Sequence, residues 1–246
     1  MIRFIIICIA LIPFILIGYP FLWIEWLIGK INKRTKDTIC LHFVKCACHL
    51  VLWLGGVKVK VIGKENIPRK ASLIVANHRS IFDIIILYAN CKMLTGFVAK
   101  NSLEKVPFLR AFMKNLYCLF LDRSDIKQGL QVILQAIQYA KDGISVGIFP
   151  EGTRGKGDGL TLLPFKEGSF KISLKSGCPI VPVALYYDGP VFEDHIPRLK
   201  KTTVILEYMS PIYPQDLSKD EQKVIGATCQ AMIQDAVQKN AKSLQN

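Results

Sequence analysis

Two side chains, His78 and Asp83, carry the first sign of chemistry. The apolar, β-branched run Leu73-Ile74-Val75-Ala76 reads as a buried strand, and it ends in Asn77 and His78 where helical spacing begins (Ile81, Ile84, Ile85, Tyr88). On one regular helix His78 and Asp83 would stand about 140° apart, at ~100° per residue. They face each other only with His78 just outside the helix and Asp83 one turn inside it. A carboxylate so placed fixes the imidazole tautomer, leaves the second nitrogen to take a proton and stabilises the imidazolium that forms. The same spacing also fits a plainer arrangement, with Asp83 as a first-turn charge favourable by roughly 0.3–1 kcal/mol and His78 as a loop residue.

The second stretch is Ile148 to Gly159, IFPEGTRGKGDG. It follows a strand-like run, holds four glycines and presents Glu151, Thr153, Arg154 and Lys156 on a backbone free to turn sharply. Such a loop suits an oxyanion, because backbone N–H groups approach closely and an arginine fork grips phosphate with two bonds. It is no Walker loop: neither Ser nor Thr follows its Gly-Lys pair, and the glycine spacing differs. An exposed loop with Glu151 paired to Arg154 is the alternative reading.

The elements that must position these residues alternate from Val57 onward. VKVKVIG alternates as a strand does, and further strands are predicted at Leu73 to Ala76, Leu94 to Ala99, Leu116 to Leu121, Ser145 to Phe149, Ile180 to Tyr187 and Thr203 to Tyr208. Helices are predicted at Ile81 to Asn90, Pro107 to Lys114, Ile126 to Lys141, Lys166 to Ser176 and Ser218 to about Lys242. This alternation argues for a layered α/β domain over residues 57–246.

Residues 1–56 have a different texture. Residues 4–28 hold one charge, Glu25, and at ~1.5 Å per residue could cover a ~30 Å hydrocarbon core. Pro13, Gly18 and Pro20 argue against a straight helix, and no small-residue cleavage site marks a removed leader. Lys30, Lys33, Arg34 and Lys36 follow, which by the positive-inside tendency predicts that this flank and the rest of the chain face the cytoplasm. Thr38 to Gly55 is apolar except for a narrow stripe of His42, Lys45 and His49, as expected of a helix lying at a membrane interface or against the first segment.

Composition agrees with a membrane contact: 51% of the residues are hydrophobic and the mean hydropathy is +0.30. A net charge of +13 calls for an anionic partner. With no nucleic-acid-binding pattern and an apolar N-terminal segment, the anionic leaflet is the economical choice. The eight cysteines are scattered, with neither a disulfide framework nor zinc spacing, and read as reduced, mostly buried thiols; no metal site is expected.

Taken in order, these stretches resemble the glycerolipid acyltransferases, the PlsC-like lysophosphatidic acid acyltransferase family. The family's N-H-x-x-x-x-D stands here as Asn77-His78-Arg79-Ser80-Ile81-Phe82-Asp83, and its F-P-E-G-T-R as Phe149 to Arg154. A glycine-aromatic-arginine motif is matched by Cys118 to Arg123, and a V-P-V strand by Val181-Pro182-Val183. Val98-Ala99-Lys100 and Phe165-Lys166-Glu167-Gly168 fit between them. The resemblance implies a layered α/β fold, with a mixed central sheet flanked by helices and a helical membrane motif before it.

It also implies direct attack of a lysophosphatidic acid hydroxyl on an acyl thioester, either acyl-CoA or acyl carrier protein, with no other cofactor. His78 would be the base and Asp83 its orienter. Arg123 and Arg154, with Lys100, would hold the acceptor's phosphate, and Glu151, Gly152 and Thr153 would form the acceptor-side loop. Other lysolipid acceptors, or a non-catalytic protein binding anionic lipid, are the alternatives. Two departures stand out. Cys118 takes the place of the usual glycine, predicting crowding near the substrate, and Gly155 takes that of a common serine.

Overall fold

The computed structural model describes residues 2–157, 159–188, 192–195 and 197–245. A helical hairpin, α1 (Ile2–Ile31) and α2 (Lys33–Gly55), leads into β1 (Val57–Ile62) and β2 (Leu73–Ala76). Then come α3 (Phe82–Asn90), β3 (Thr95–Lys100), α4 (Pro107–Asn115), β4 (Leu119–Leu121), α5 (Ile126–Lys141) and β5 (Ser145–Ile148). The chain closes with α6 (Lys171–Ser176), β6 (Ile180–Asp188), β7 (Thr202–Tyr208), α7 (Lys219–Lys223) and α8 (Ile225–Gln245).

The strands form one seven-stranded sheet in the order β1-β7-β6-β2-β5-β3-β4. Every strand pairing is parallel except that of β6 with β7, so the sheet is mixed, as expected. Central strands must be apolar on both faces, and β2 is buried at all its positions. Ile74 and Ala76 pack toward α2, α3 and α4, while Leu73 and Val75 pack toward α5, α6 and α8.

Several boundaries differ from the sequence expectations, each for a local reason. The first helix, where the prolines argue only against straightness, runs unbroken through Pro13 and Pro20. A proline deletes only one backbone bond at a time, and packing along α2, with Phe21 stacked on Phe43 at 4.2 Å, holds the turns on either side. The strand expected from Leu116 begins at Leu119, because Leu116, Tyr117 and Cys118 spend their N–H groups closing α4. Tyr117 does so at φ 60, a left-handed conformation unusual for a bulky side chain. Gly96 lies so close beneath it that a Cβ there would stand 2.2 Å from the Tyr117 carbonyl oxygen. The predicted 166–176 helix divides into a 3-10 turn, Glu167–Phe170, and α6. A capping box of Ser218 and Glu221 starts α7 separately from α8.

The hairpin is built into the domain. Cys40, Leu41, Cys48 and Leu52 of α2 share one core with Ile74, Phe82, Ile86 and Leu206. Along α1, Phe4 stacks on Phe192 at 5.8 Å, Tyr19 meets Phe108 at 5.2 Å, and Asn115 donates to the buried Glu25 carboxylate at 2.8 Å. The outer side of α1 exposes Ile5, Ile9, Ile12, Leu16, Trp23, Trp26 and Leu27. The change of texture at residues 56/57 is therefore a change of surface, within a continuous core.

Candidate active site

Chain direction opens a crevice. After β2 the chain leaves for α3 on one face of the sheet; after the neighbouring β5 it leaves for α6 on the other. Loops that part in this way leave a cleft outside the carboxyl ends of their strands, where ligands of open α/β sheets bind. His78 comes out of β2 and the Phe149–Arg154 stretch out of β5, so both border this cleft.

Asn77 fixes the exit of β2. Its buried amide donates to the Leu185 carbonyl at 2.9 Å and accepts from the Leu185 N–H at 2.8 Å, completing the β6 ladder. Asp83 is the second residue of α3 and is wholly buried. Its Oδ2 accepts from His78 Nδ1 at 2.8 Å, Arg79 N–H at 2.6 Å and Ser80 N–H at 2.8 Å. The carboxylate thus gathers the turn that enters α3 and holds the imidazole with the same oxygen. With Asp83 accepting, Nδ1 carries the proton and Nε2 keeps its lone pair. The imidazole side chain is 18% exposed, open enough to be approached.

A residue that sequence reasoning missed completes this arrangement. The Tyr187 hydroxyl, from β6, donates to Asp83 Oδ1. The only signal for it was its position downstream of Val181-Pro182-Val183 on the neighbouring strand, and nothing in the sequence fixes that register.

The second loop closes over the first. Phe149 stacks on the His78 ring with centroids 4.2 Å apart. Glu151 is buried and does not serve as the ion partner of Arg154 in a simple exposed loop. Its Oε1 accepts from His78 N–H at 2.7 Å and its Oε2 from Leu163 N–H at 3.0 Å, joining three segments. Burial pushes the Glu151 carboxyl above its ordinary range, against the pull of those two N–H donors. Gly152 adopts φ 72, and the Lys166 ammonium lies where a side chain there would begin.

The remaining expected residues border the same edge at increasing distance. Gly152, Thr153 and Arg154 follow β5, Lys100 ends β3 and Arg123 lies just beyond β4. At ~4.8 Å per strand, the β4 exit lies about 14 Å from the β2 exit that bears His78. Thr153, Arg154, Lys100 and Arg123 are exposed to solvent there. Direct contact therefore joins His78, Asp83 and Glu151, whereas the basic residues form a rim.

Cys118 is corrected by the structure. It lies just before β4, at the end of the sheet away from the cleft, buried, with its Sγ 3.0 Å from the Tyr88 hydroxyl, so it does not border the cleft. Burial pushes the thiols of Cys118 and Cys178 up, away from the nucleophilic thiolate.

The chain is similar to known proteins. A family model described as Acyltransferase matches residues 58–186. A 1-acyl-sn-glycerol-3-phosphate acyltransferase of Saccharomyces cerevisiae is 33% identical over 178 residues, covering 72% of this chain and 59% of its own. Its counterpart in Salmonella typhimurium is 30% identical over 188 residues, covering 75% and 74%. The chain thus spans 59% of the yeast relative, and it spans 61% of one from Borreliella burgdorferi. The crystal structure of the 1-acyl-sn-glycerophosphate (LPA) acyltransferase PlsC from Thermotoga maritima superposes with a TM-score of 0.77 at 25% identity, over 98% of this chain and 94% of that one. The family match takes in β2 with the His78–Asp83 turn after it and the loop bearing Glu151 and Arg154, and it covers more than half of the chain, which therefore belongs to the acyltransferase family.

Proposed function

We propose that the protein transfers an acyl group from a thioester, acyl-CoA or acyl carrier protein, to the sn-2 hydroxyl of 1-acyl-sn-glycerol 3-phosphate, giving phosphatidic acid. The observation that carries this reading is the Asp83–His78 pair, with Nδ1 held and the ring accessible at the mouth of the cleft. His78 Nε2 takes the proton of the acceptor hydroxyl as its oxygen attacks the thioester carbonyl. Collapse of the tetrahedral adduct forms the ester and expels the thiolate, which recovers the proton from His78. The reaction needs no cofactor besides the acyl donor. Arg154, Arg123 and Lys100 offer cationic donors for the acceptor's phosphate, and Glu151 keeps the loop of Gly152 and Thr153 against His78.

The acceptor is met at a membrane. Two helices, α1 and α2, are long and apolar enough to cross one. Supporting a position in one leaflet instead, α1 touches the domain at its start, middle and end. A helix of ~45 Å that meets the domain near its start, middle and end cannot cross a ~30 Å hydrocarbon core without drawing those parts of the domain in with it. Its exposed apolar side faces lipid, with Trp23 and Trp26 as interfacial anchors and Lys30 lying over the Trp26 ring at 3.7 Å. The basic surplus suits the anionic cytoplasmic leaflet.

The test is acyl transfer to labelled lysophosphatidic acid by membranes carrying the wild type or His78→Ala. Turnover by the wild type and a loss of about 100-fold or more in the variant, with acceptor binding retained, is expected. Full turnover by the variant overturns the assignment of the base, and absence of wild-type turnover with any acyl donor overturns the reaction.

A further inference from the structure

Arg79 takes no part in the chemistry above, yet its side chain lies within the glycine-rich loop that follows Arg154. Its Nη1 donates to the Gly155 carbonyl at 3.0 Å and its Nη2 to the Gly157 carbonyl. Gly159 adopts φ 74 close against it, where a Cβ would stand 2.9 Å from Nε. The Gly155 N–H in turn donates to the His78 carbonyl at 2.8 Å. The glycines at 155, 157 and 159 thus lie where the backbone comes close to a cation of the chain itself.

The same residue reaches the other half of the cleft, since its backbone N–H donates to Asp83 Oδ2. One residue is bound to the carboxylate that orients His78 and to the loop that presents Arg154. A planar guanidinium can serve two carbonyls at fixed separation, whereas an ammonium in its place is a single point donor.

We propose that Arg79 is a positioning residue: it clamps the loop at Gly155 and Gly157 and so holds Arg154 and Lys156 in register with His78, setting the affinity for the acceptor's phosphate. This rests on the assignment of Arg154 to that phosphate.

The experiment uses the full chain in vesicles, as wild type, Arg79→Gln and Arg79→Lys. Trypsin cleavage after Arg154 and Lys156, followed by peptide mass, reads the clamp without reference to activity. Arg79→Gln should be cut there at least about tenfold faster, with cleavage elsewhere and Tm unchanged, and Arg79→Lys should fall between. In turnover assays Arg79→Gln should raise the acceptor KM about tenfold, leaving the donor KM and the pH profile of kcat as in the wild type. Unchanged cleavage overturns the clamp. Faster cleavage with an unchanged acceptor KM overturns its link to the phosphate. If Arg79→Gln loses its folded transition, Arg79→Lys decides by the same two readouts. A wild type that acylates no lysophosphatidic acid defeats the functional reading, while the cleavage result still reports on the clamp.

Discussion

At the scale of single residues, Asp83 controls the cleft. It is buried and receives donors from His78, Arg79, Ser80 and Tyr187, so its position is fixed from two elements. Tyr187→Phe removes one hydrogen bond to a charged group, worth about 1.5–3 kcal/mol. The variant should fold, and its kcat should fall by roughly tenfold with the acceptor KM preserved; an unchanged kcat would show that Asp83 needs no second support. Glu151 gives a pH signature. Its carboxyl is raised above the ordinary 4.5, so the folded state binds its proton more readily than the unfolded chain does. That contribution to stability is complete below 4.5 and lost as pH rises through the folded value. The Tm advantage of wild type over Glu151→Gln should therefore shrink as pH increases from 4.5, and a constant difference would refute the shift.

The dyad was legible in the sequence because it lies within one local turn, where spacing and helix geometry constrain each other. Tyr187 and the Glu151 bonds to His78 and Leu163 were not, because they depend on strand order and register, which short-range patterns do not encode. Arg79 escaped for the same reason: its partners lie 76 and 78 residues away.

At the scale of elements, the loop after β5 shows which glycines matter. Gly159 needs its positive φ and has no room beside Arg79, whereas a Cβ on Gly155 would meet its neighbours at an ordinary 3.7 Å. Gly155→Ser, which restores the serine common at this place, should leave Tm and turnover near wild type. Gly159→Ala should lower turnover several-fold through strain of about 1–3 kcal/mol; equal behaviour of the two variants in melting and turnover assays would contradict the geometry. The strands and helices were mostly readable from periodicity, and a misjudged edge fell where α4 closes through Tyr117, its closing bonds taking the N–H groups a longer strand would have used.

At the scale of the molecule, the hairpin and the sheet share one core. Removing residues 1–36 leaves Cys40, Leu41, Cys48 and Leu52 in the shared core but takes away the outward apolar side of α1. Activity toward vesicle-borne acceptor should drop about tenfold more than activity toward a short-chain, water-soluble one. Equal losses on the two acceptors would make α1 a folding element alone.

The pairing of β1 also has a consequence for how the chain is made. Among the described residues this strand sits at the sheet edge and pairs only with β7, and Thr202 follows Val57 by 145 residues. A ribosome adding about 5–20 residues per second needs roughly 7–30 s to supply that partner. Throughout that interval residues 1–55, which form α1 and α2, have already been made, while β1 waits with Lys58 and Lys60 on its exposed positions, charges that discourage pairing with foreign strands. In synthesis the apolar α1–α2 segment thus precedes every strand of the sheet, and the edge pairing of β1 waits for β7, the last strand to be made.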